Sequence, residues 1–177
     1  MKIIETKLKG CFILEPKVYK DNRGYFFESF NSQEFYNLTG ERVNFVQDNE
    51  AKSLKGVLRG LHFQKGEFAQ AKLVRVLKGK VQDVVVDMRS DSITYGNYMS
   101  ILLSSDNKKQ VFIPKGFAHG YLTLKKDTIF AYKCDNYYAP NFEDGIMYND
   151  ESLNIDWLLK EKEMIISEKD KIYKSLR

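Results

Sequence analysis

The two histidines of this chain, His62 and His119, are the side chains whose types most readily suggest acid–base chemistry. Each lies close to glycine, in the stretches GVLRGLHFQ (56–64) and GFAHGY (116–121). An imidazole with an unperturbed pKa of about 6.5 can accept or donate a proton near neutral pH. Three roles are open for His62: a packed core residue, a metal ligand or a catalytic base.

A metal site has little support in the spacing around His62. The positions two residues away on either side are Gly60 and Gln64, which are poor ligands, and His119 lies far along the chain. A core strand seldom contains Arg59, Gly60 and His62 together, because each unpaired polar group costs roughly 1–3 kcal/mol when buried. We therefore favour a functional role over a core role and expect no metal.

The composition is that of a single globular domain spanning residues 1–177, with 43% hydrophobic and 29% charged residues. The net charge of +4 allows an anionic ligand but is too small to indicate nucleic-acid binding. Cys11 and Cys134 form no CxxC pattern, which disfavours a disulfide framework and favours a reducing cytoplasm. No apolar run approaches the ~20 residues that cross a bilayer, so we expect no membrane partner.

Short apolar or alternating runs, separated by turn residues about every 8–12 positions, predict an all-β sandwich or barrel. The stretch NSQEFYNLTG breaks this pattern with capping residues at both ends and predicts a short helix near residues 32–39. A second short helix is expected at the C-terminus, where Ser167 and Asp170 resemble a capping pair.

Strand alternation indicates which side chains of two central runs share a face. In AKLVRVL, Lys72 shares one face with Val74, and Arg75 shares the other with Leu73, so a cation lies among aliphatic side chains whichever face is buried. In TIFAYKC, Tyr132 shares a face with Phe130 and is expected to point inward. A cation and a tyrosine are thus candidate interior polar groups.

The same alternation creates a conflict around His62. It puts His62 on one face with Leu58, Gly60 and Gln64, and puts Arg59 on the other face. Both Arg59 and His62 can reach one pocket only if the chain kinks near Gly60. The missing side chain of Gly60 either leaves room for a ligand beside the imidazole or marks a bulge.

Eight ordered stretches together resemble the dTDP-4-dehydrorhamnose 3,5-epimerase family. They are DNRGYFFESF, FVQDNEAKS, GVLRGLHFQ, AQAKLVRVLKGKVQDVVVDMR, FIPKGFAHGYL, YKCDNYYAP, EDGIMYND and ISEKD. The resemblance covers nearly the whole chain and implies a cupin-type β-jelly roll. It also implies a homodimer that uses no metal or organic cofactor.

The family reaction inverts C3 and C5 of a dTDP-linked 4-keto-6-deoxy sugar in dTDP-L-rhamnose biosynthesis. Both carbons are α to the C4 ketone, so a base, an opposing acid and positive charge at the ketone oxygen are required. The resemblance implies that His62 is the base, Asp170 orients it, Tyr132 is the acid and Lys72 lies near the enolate oxygen.

Each of these roles has an ordinary structural alternative. On local grounds Asp170 would be a helix-cap residue, and both roles can coexist. Tyr132 could be a hydrogen-bonded core tyrosine, and Lys72 could bury its stem while its ammonium reaches solvent.

The resemblance also implies a set of substrate-binding residues. They are Arg23, Glu28, Gln47, Asp48, Asn49, Arg59, Lys72, His119, Tyr138, Glu143 and Lys169. Within this set, the ring of Tyr138 would stack on thymine, and Arg59 would contact the diphosphate. Arg23 and Glu28 belong to an N-terminal segment that would reach the partner subunit's pocket.

Two alternatives to 3,5-epimerisation remain open. One is a single-carbon epimerase, or an enzyme for another nucleotide keto-sugar, on the same scaffold. The other is a cupin-like module that binds a nucleotide sugar without turnover, which would not need a base and an acid. Related sugar-nucleotide ketoisomerases tend to have a second histidine shortly after the first, where this chain has Gln64.

Overall fold

The computed structural model describes residues 1–176 as two large, facing β-sheets with a small separate hairpin. The strands are β1 Lys2–Glu5, β2 Phe12–Glu15, β3 Tyr19–Asp21, β4 Gly24–Phe26, β5 Gln47–Ser53, β6 Val57–Gln64, β7 Lys72–Lys78, β8 Lys80–Asp87, β9 Tyr98–Ser104, β10 Gln110–Ile113, β11 Phe117–Thr123, β12 Thr128–Cys134, β13 Glu143–Gly145 and β14 Ile165–Ile166. The all-β class predicted from the alternating runs is confirmed.

The first sheet has the strand order β1-β2-β10-β7-β12-β5, and the second has the order β13-β6-β11-β8-β9. Neighbouring strands in these orders are antiparallel, whereas β14 pairs with β6 in parallel. The two sheets do not close into a barrel, and β3 pairs only with β4. Strands that are distant in sequence therefore become neighbours, which brings residues from the whole chain to one interior.

The space between the sheets contains a packed apolar core and, next to it, a polar cavity. Val74 and Phe130 from the first sheet meet Val85 from the second, and all three are at most 1% exposed. Burying side chains of this size stabilises the fold by roughly 1.5–3 kcal/mol each. Tyr132 packs against this cluster, so the core holds one wall of the cavity in place.

The helix α1 (Ser32–Thr39) confirms the prediction from its capping residues. Asn31 Oδ1 accepts the backbone N–H of Glu34 at 3.0 Å. Gly40 adopts the left-handed conformation, with φ of +75°, and donates its N–H to the carbonyl of Tyr36. Because these contacts are local, the ends of the helix can be identified from sequence alone.

The short helix expected at the C-terminus is a single 3-10 turn, Lys169–Lys171. Ser167 Oγ accepts the backbone N–H of Asp170 at 3.1 Å, as a capping residue does. The Asp170 side chain does not complete a capping box and points instead toward β6. None of the helices in residues 1–176 has the length and apolar character that membrane crossing requires.

Candidate active site

A cavity between the two sheets contains the candidate catalytic groups. It has two adjacent lobes of about 480 and 270 Å³. His62, Tyr132 and Lys72 line both lobes, so the three side chains point into the same space. His62 comes from the second sheet, whereas Tyr132 and Lys72 come from the first.

A β-bulge in β6 resolves the conflict between Arg59 and His62. Across the β6–β11 pair, His62 lies opposite His119 and Arg59 lies opposite Tyr121, so β6 has one extra residue in this interval. Gly60 occupies the interval with φ of +132°. The bulge turns Arg59 and His62 to the same face, and both line the larger lobe.

The bulge also corrects two details of the alternation pattern. A Cβ atom on Gly60 would lie 2.5 Å from the Cα atom of Gly120, so the space beside Gly60 is filled by β11. The prediction that Gly60 leaves room for a ligand is therefore wrong, and the bulge interpretation is correct. Leu58 does not share the face of His62, because it packs in a separate apolar cluster with Leu122.

The His62 imidazole is hydrogen-bonded to the Asp170 carboxylate, with 2.7 Å between Nε2 and Oδ1. The Gly60 N–H also donates to Asp170 Oδ2, at 3.4 Å. Burial raises the pKa of Asp170, but its hydrogen bonds, first of all the one with His62, outweigh this effect and hold the pKa below its usual value. Because an ionised carboxylate only accepts, Nε2 carries the proton and Nδ1 keeps the lone pair of a base.

Tyr132 and Lys72 supply the opposing groups. Burial raises the pKa of Tyr132 to about 12, so its phenol stays protonated at neutral pH. Lys72 lies on β7 next to β12, opposite Cys134, and burial lowers the pKa of its ammonium. Within residues 1–176 the Lys72 ammonium makes no ion pair, which leaves its charge available to a ligand.

His119 lies beside His62 and forms a second histidine–carboxylate pair. Its Nε2 atom is 2.9 Å from Oδ2 of Asp83, and Asp83 is completely buried. We did not select Asp83 from the sequence. The sequence feature that could have identified it is an acidic residue within the apolar run of β8, where the structure buries it.

The smaller lobe ends at a polar cluster of three predicted binding residues. The Tyr138 hydroxyl donates to Glu143 Oε2 at 2.5 Å, and Lys169 Nζ lies 2.8 Å from the same oxygen. Burial raises the pKa of Glu143, but Lys169 and Tyr138 together hold it below its usual value. Tyr138 lines the lobe, whereas the adjacent Tyr137 does not.

Only part of the run Gln47–Asn49 faces the cavity. Gln47 and Asn49 line the smaller lobe and are hydrogen-bonded to each other, at 2.9 Å. Asp48 lies on the opposite face of β5, is 71% exposed and pairs with Lys133. The structure thus separates Asp48 from this cavity, because alternate residues of a strand point to opposite faces.

Arg23 and Glu28 also lie outside this cavity. Arg23 is on the exposed β3–β4 hairpin, where it pairs with Asp21 at 2.6 Å. Glu28 accepts a hydrogen bond from Asn31 near the start of α1. Within one chain, neither side chain reaches His62.

Gln64 is a supporting residue that we did not assign to the site. It is 5% exposed and donates from Nε2 to the carbonyls of Phe68 and Tyr137, while Oε1 accepts the N–H of Ala139. Together with Gln47, which accepts the N–H of Tyr138, it fixes the loop that carries the Tyr138 ring. Its signal in the sequence is its place two residues after His62 on the same strand face.

Within residues 1–176, no group of three or more His, Cys, Asp and Glu side chains is arranged to hold a metal ion. Arg59 is one of the cations of the larger lobe, and its Nε atom donates to Ser53 Oγ at 3.2 Å. The cavity therefore combines a base, a phenol and cations, which is a set suited to proton transfer at carbon next to a carbonyl.

Comparisons with known proteins agree with this chemistry. The family model described as dTDP-4-dehydrorhamnose 3,5-epimerase matches residues 5–177. The enzyme of that name from Salmonella typhimurium is 54% identical over 157 residues, covering 89% of this chain and 86% of the relative.

Solved structures of two relatives have nearly the same fold. The dTDP-4-dehydrorhamnose 3,5-epimerase from Elizabethkingia anophelis is 50% identical, with a TM-score of 0.96 and coverage of 99% and 96% of the two chains. The Legionella pneumophila enzyme, in complex with dTDP-4-keto-L-rhamnose, is 48% identical, with a TM-score of 0.94 and coverage of 98% and 92%. The fold is thus the predicted cupin-type β-jelly roll, and the chain belongs to the dTDP-4-dehydrorhamnose 3,5-epimerase family.

Proposed function

We propose that this protein inverts C3 and C5 of dTDP-4-dehydro-6-deoxy-D-glucose to give dTDP-4-dehydro-L-rhamnose. The observation that carries the proposal is the placement of His62 and Tyr132 on opposing sheets around one cavity, with Lys72 beside Tyr132. A base and an acid on opposite sides of a bound sugar can remove a proton from one face and return one to the other. The Legionella relative, which binds dTDP-4-keto-L-rhamnose, supports the same substrate class.

In the proposed reaction, His62 Nδ1 removes the proton from the carbon next to the ketone. The C–H electron pair moves into an enolate, whose oxygen is stabilised by the Lys72 ammonium. That stabilisation is stronger inside the cavity than in water, because the surroundings of the buried ammonium screen its charge less than water does. The Tyr132 phenol then donates a proton to the opposite face of the carbon, so the atoms are conserved and the configuration is inverted.

The two ends of the cavity offer contacts for the rest of the substrate. The ring of Tyr138, fixed by Gln47 and Gln64, provides a flat surface on which thymine stacks. Arg59 provides a cation for the diphosphate in the larger lobe. His119, Asn49, Glu143 and Lys169 supply the remaining polar contacts that we propose within one chain.

Labelling in heavy water tests the function directly. We expect incubation with dTDP-4-dehydro-6-deoxy-D-glucose in D₂O to place deuterium at both C3 and C5, which proton NMR detects as two lost signals. Label at one carbon only would show a single-carbon epimerase. A substrate that stays unlabelled while it binds would show a nucleotide-sugar binding protein and overturn the proposal.

We propose that the active form is a homodimer in which the N-terminal hairpin of each subunit completes the partner's cavity with Arg23 and Glu28. Every residue of β3 and β4 is exposed, including Phe26 at 66%. An isolated two-stranded hairpin is marginal on its own, and exposed aromatic side chains of this kind are typical of interfaces. Lys108, 4.1 Å from the centroid of the Tyr25 ring, anchors one side of the hairpin to its own subunit.

Complementation between two defective subunits tests this arrangement. Chains with Arg23→Ala and with His62→Ala, carrying different affinity tags, are co-expressed and the mixed dimer is purified. Both parent homodimers should be inactive, whereas the mixed dimer should keep about half of the wild-type turnover, because one of its two sites has both groups. An inactive mixed dimer, or a monomer in sedimentation, would contradict the shared site.

The remaining expectations from the sequence stay predictions. We propose that residues 1–177 form one domain that acts in the cytoplasm, without a metal or organic cofactor and without nucleic-acid or membrane partners. Its product would enter dTDP-L-rhamnose biosynthesis and, from there, cell-wall polysaccharide or O-antigen.

A further inference from the structure

We propose that Tyr173 is a positioning residue for the His62 imidazole, so that proton transfer by His62 depends on the aromatic ring of Tyr173. The proposal rests on the role of His62 as the base. The two rings meet edge to face, with centroids 5.6 Å apart and planes inclined by 62°. Aromatic pairs of this kind favour one relative orientation.

A glycine next to His62 leaves space for the Tyr173 ring. Gly145 on β13 lies directly opposite His62 on β6. A Cβ atom on Gly145 would lie 2.8 Å from Cδ2 and Cε2 of Tyr173, so the ring packs on the bare backbone of this glycine. The hydroxyl oxygen of Tyr173 is buried as well. The ring therefore occupies a fixed place beside the imidazole.

Hydrogen bonds hold the segment that contains Tyr173 on both sides of this residue. On the N-terminal side, Asp170 is hydrogen-bonded to His62 and to Ser167. On the C-terminal side, Lys174 forms a parallel bridge with Ile146, and its carbonyl accepts the N–H of Met147 at 3.1 Å. With fixed points three residues before and one residue after it, Tyr173 cannot move away from His62 without breaking backbone contacts.

The hydrogen bond to Asp170 alone does not fix the plane of the imidazole. A single Nε2–H···Oδ1 contact sets the distance but leaves the ring free to tilt about that contact. The edge of a neighbouring aromatic ring restricts this tilt and so fixes the direction in which Nδ1 points.

Imidazole NMR tests the positioning without any substrate. Because the chain has only two histidines, a ¹⁵N-labelled sample gives two resolved sets of ring signals, and His119 serves as an internal control. We expect Tyr173→Ala to increase the mobility of the His62 ring in ¹⁵N relaxation, because the imidazole gains freedom to tilt while Asp170 keeps its Nε2–H tautomer, and to leave the His119 ring unchanged. Unchanged relaxation of the His62 ring in Tyr173→Ala would overturn the proposal.

Kinetics test the consequence for catalysis. Tyr173→Ala should lower kcat about 10-fold and change KM less than twofold, because a misdirected base affects the chemical step. Tyr173→Phe, which keeps the ring, should restore the wild-type kcat. Ile172→Ala is the matched control, because this neighbour is 80% exposed and lies in the same segment. If Tyr173→Ala does not fold, Tyr173→Leu, which fills space without an aromatic ring, replaces it.

The outcomes separate this proposal from the proposed function. A wild-type kcat in Tyr173→Ala, or an equal loss in Tyr173→Phe, would show that the ring does not position the base. Absence of deuterium incorporation by the wild-type protein would overturn the function, whereas the imidazole spectra would still report whether Tyr173 orients His62.

Discussion

Replacing His62 with alanine should abolish deuterium incorporation at both C3 and C5 of the keto-sugar. The Asp170 carboxylate holds the proton of His62 on Nε2 and leaves Nδ1 as a free base in the cavity, on the sheet opposite Tyr132. Positioned general bases contribute about 100- to 10,000-fold to rate, so we expect a loss near the upper end of that range, about 1,000-fold or more. A 1,000-fold loss corresponds to about 4 kcal/mol of transition-state stabilisation.

Binding and stability measurements separate this effect from a general loss of structure. The affinity of His62→Ala for dTDP, measured by calorimetry, should stay within about twofold of wild type, because thymine and diphosphate contacts lie elsewhere in the cavity. Its thermal unfolding midpoint should fall, because the 5%-exposed Asp170 carboxylate loses its partner, but a cooperative transition should show that the protein still folds. Deuterium incorporation that persists in a well-folded His62→Ala protein would remove His62 from the role of base.

The parts of the fold that could be predicted from the sequence depend on local signals. The helix α1 has its cap residues, Asn31 and Gly40, within the same ten residues. Strand alternation correctly predicts that Tyr132 points inward, because β12 is regular over this position. The resemblance grouped Gln47, Asp48 and Asn49 as ligands, whereas the observed alternation of β5 turns Asp48 away from the cavity.

The features that could not be predicted depend on contacts between distant segments. The bulge at Gly60 exists because the backbone of Gly120 approaches it from another strand, and neither glycine reveals its partner in the sequence. Asp83 becomes part of the site only when β8 pairs with β11 and brings it to His119. Tyr173 reaches His62 because the C-terminal segment folds back against β13, which no local pattern indicates.

Removing only the hydroxyl of Tyr132, with Tyr132→Phe, should separate proton exchange from inversion. His62 can still remove the proton and return deuterium from solvent to the same face, so label continues to enter the substrate. Return of a proton to the opposite face loses its acid, and we expect the rate of inversion to fall about 100-fold or more. NMR follows both processes in one sample, because labelled starting sugar and epimerised product give different signals.

The same substitution at a second buried phenol is the matched control for Tyr132→Phe. Tyr121 also lines the larger lobe, but it lies on the second sheet with His62 rather than opposite it. Tyr121→Phe should therefore leave the ratio of inversion to exchange unchanged, whereas Tyr132→Phe should lower it. If exchange and inversion fall by the same factor in Tyr132→Phe, the phenol acts before the enolate forms and is not the acid that completes the inversion. Burial raises the pKa of Tyr132 to about 12, so the phenol is protonated at neutral pH and has a proton to donate.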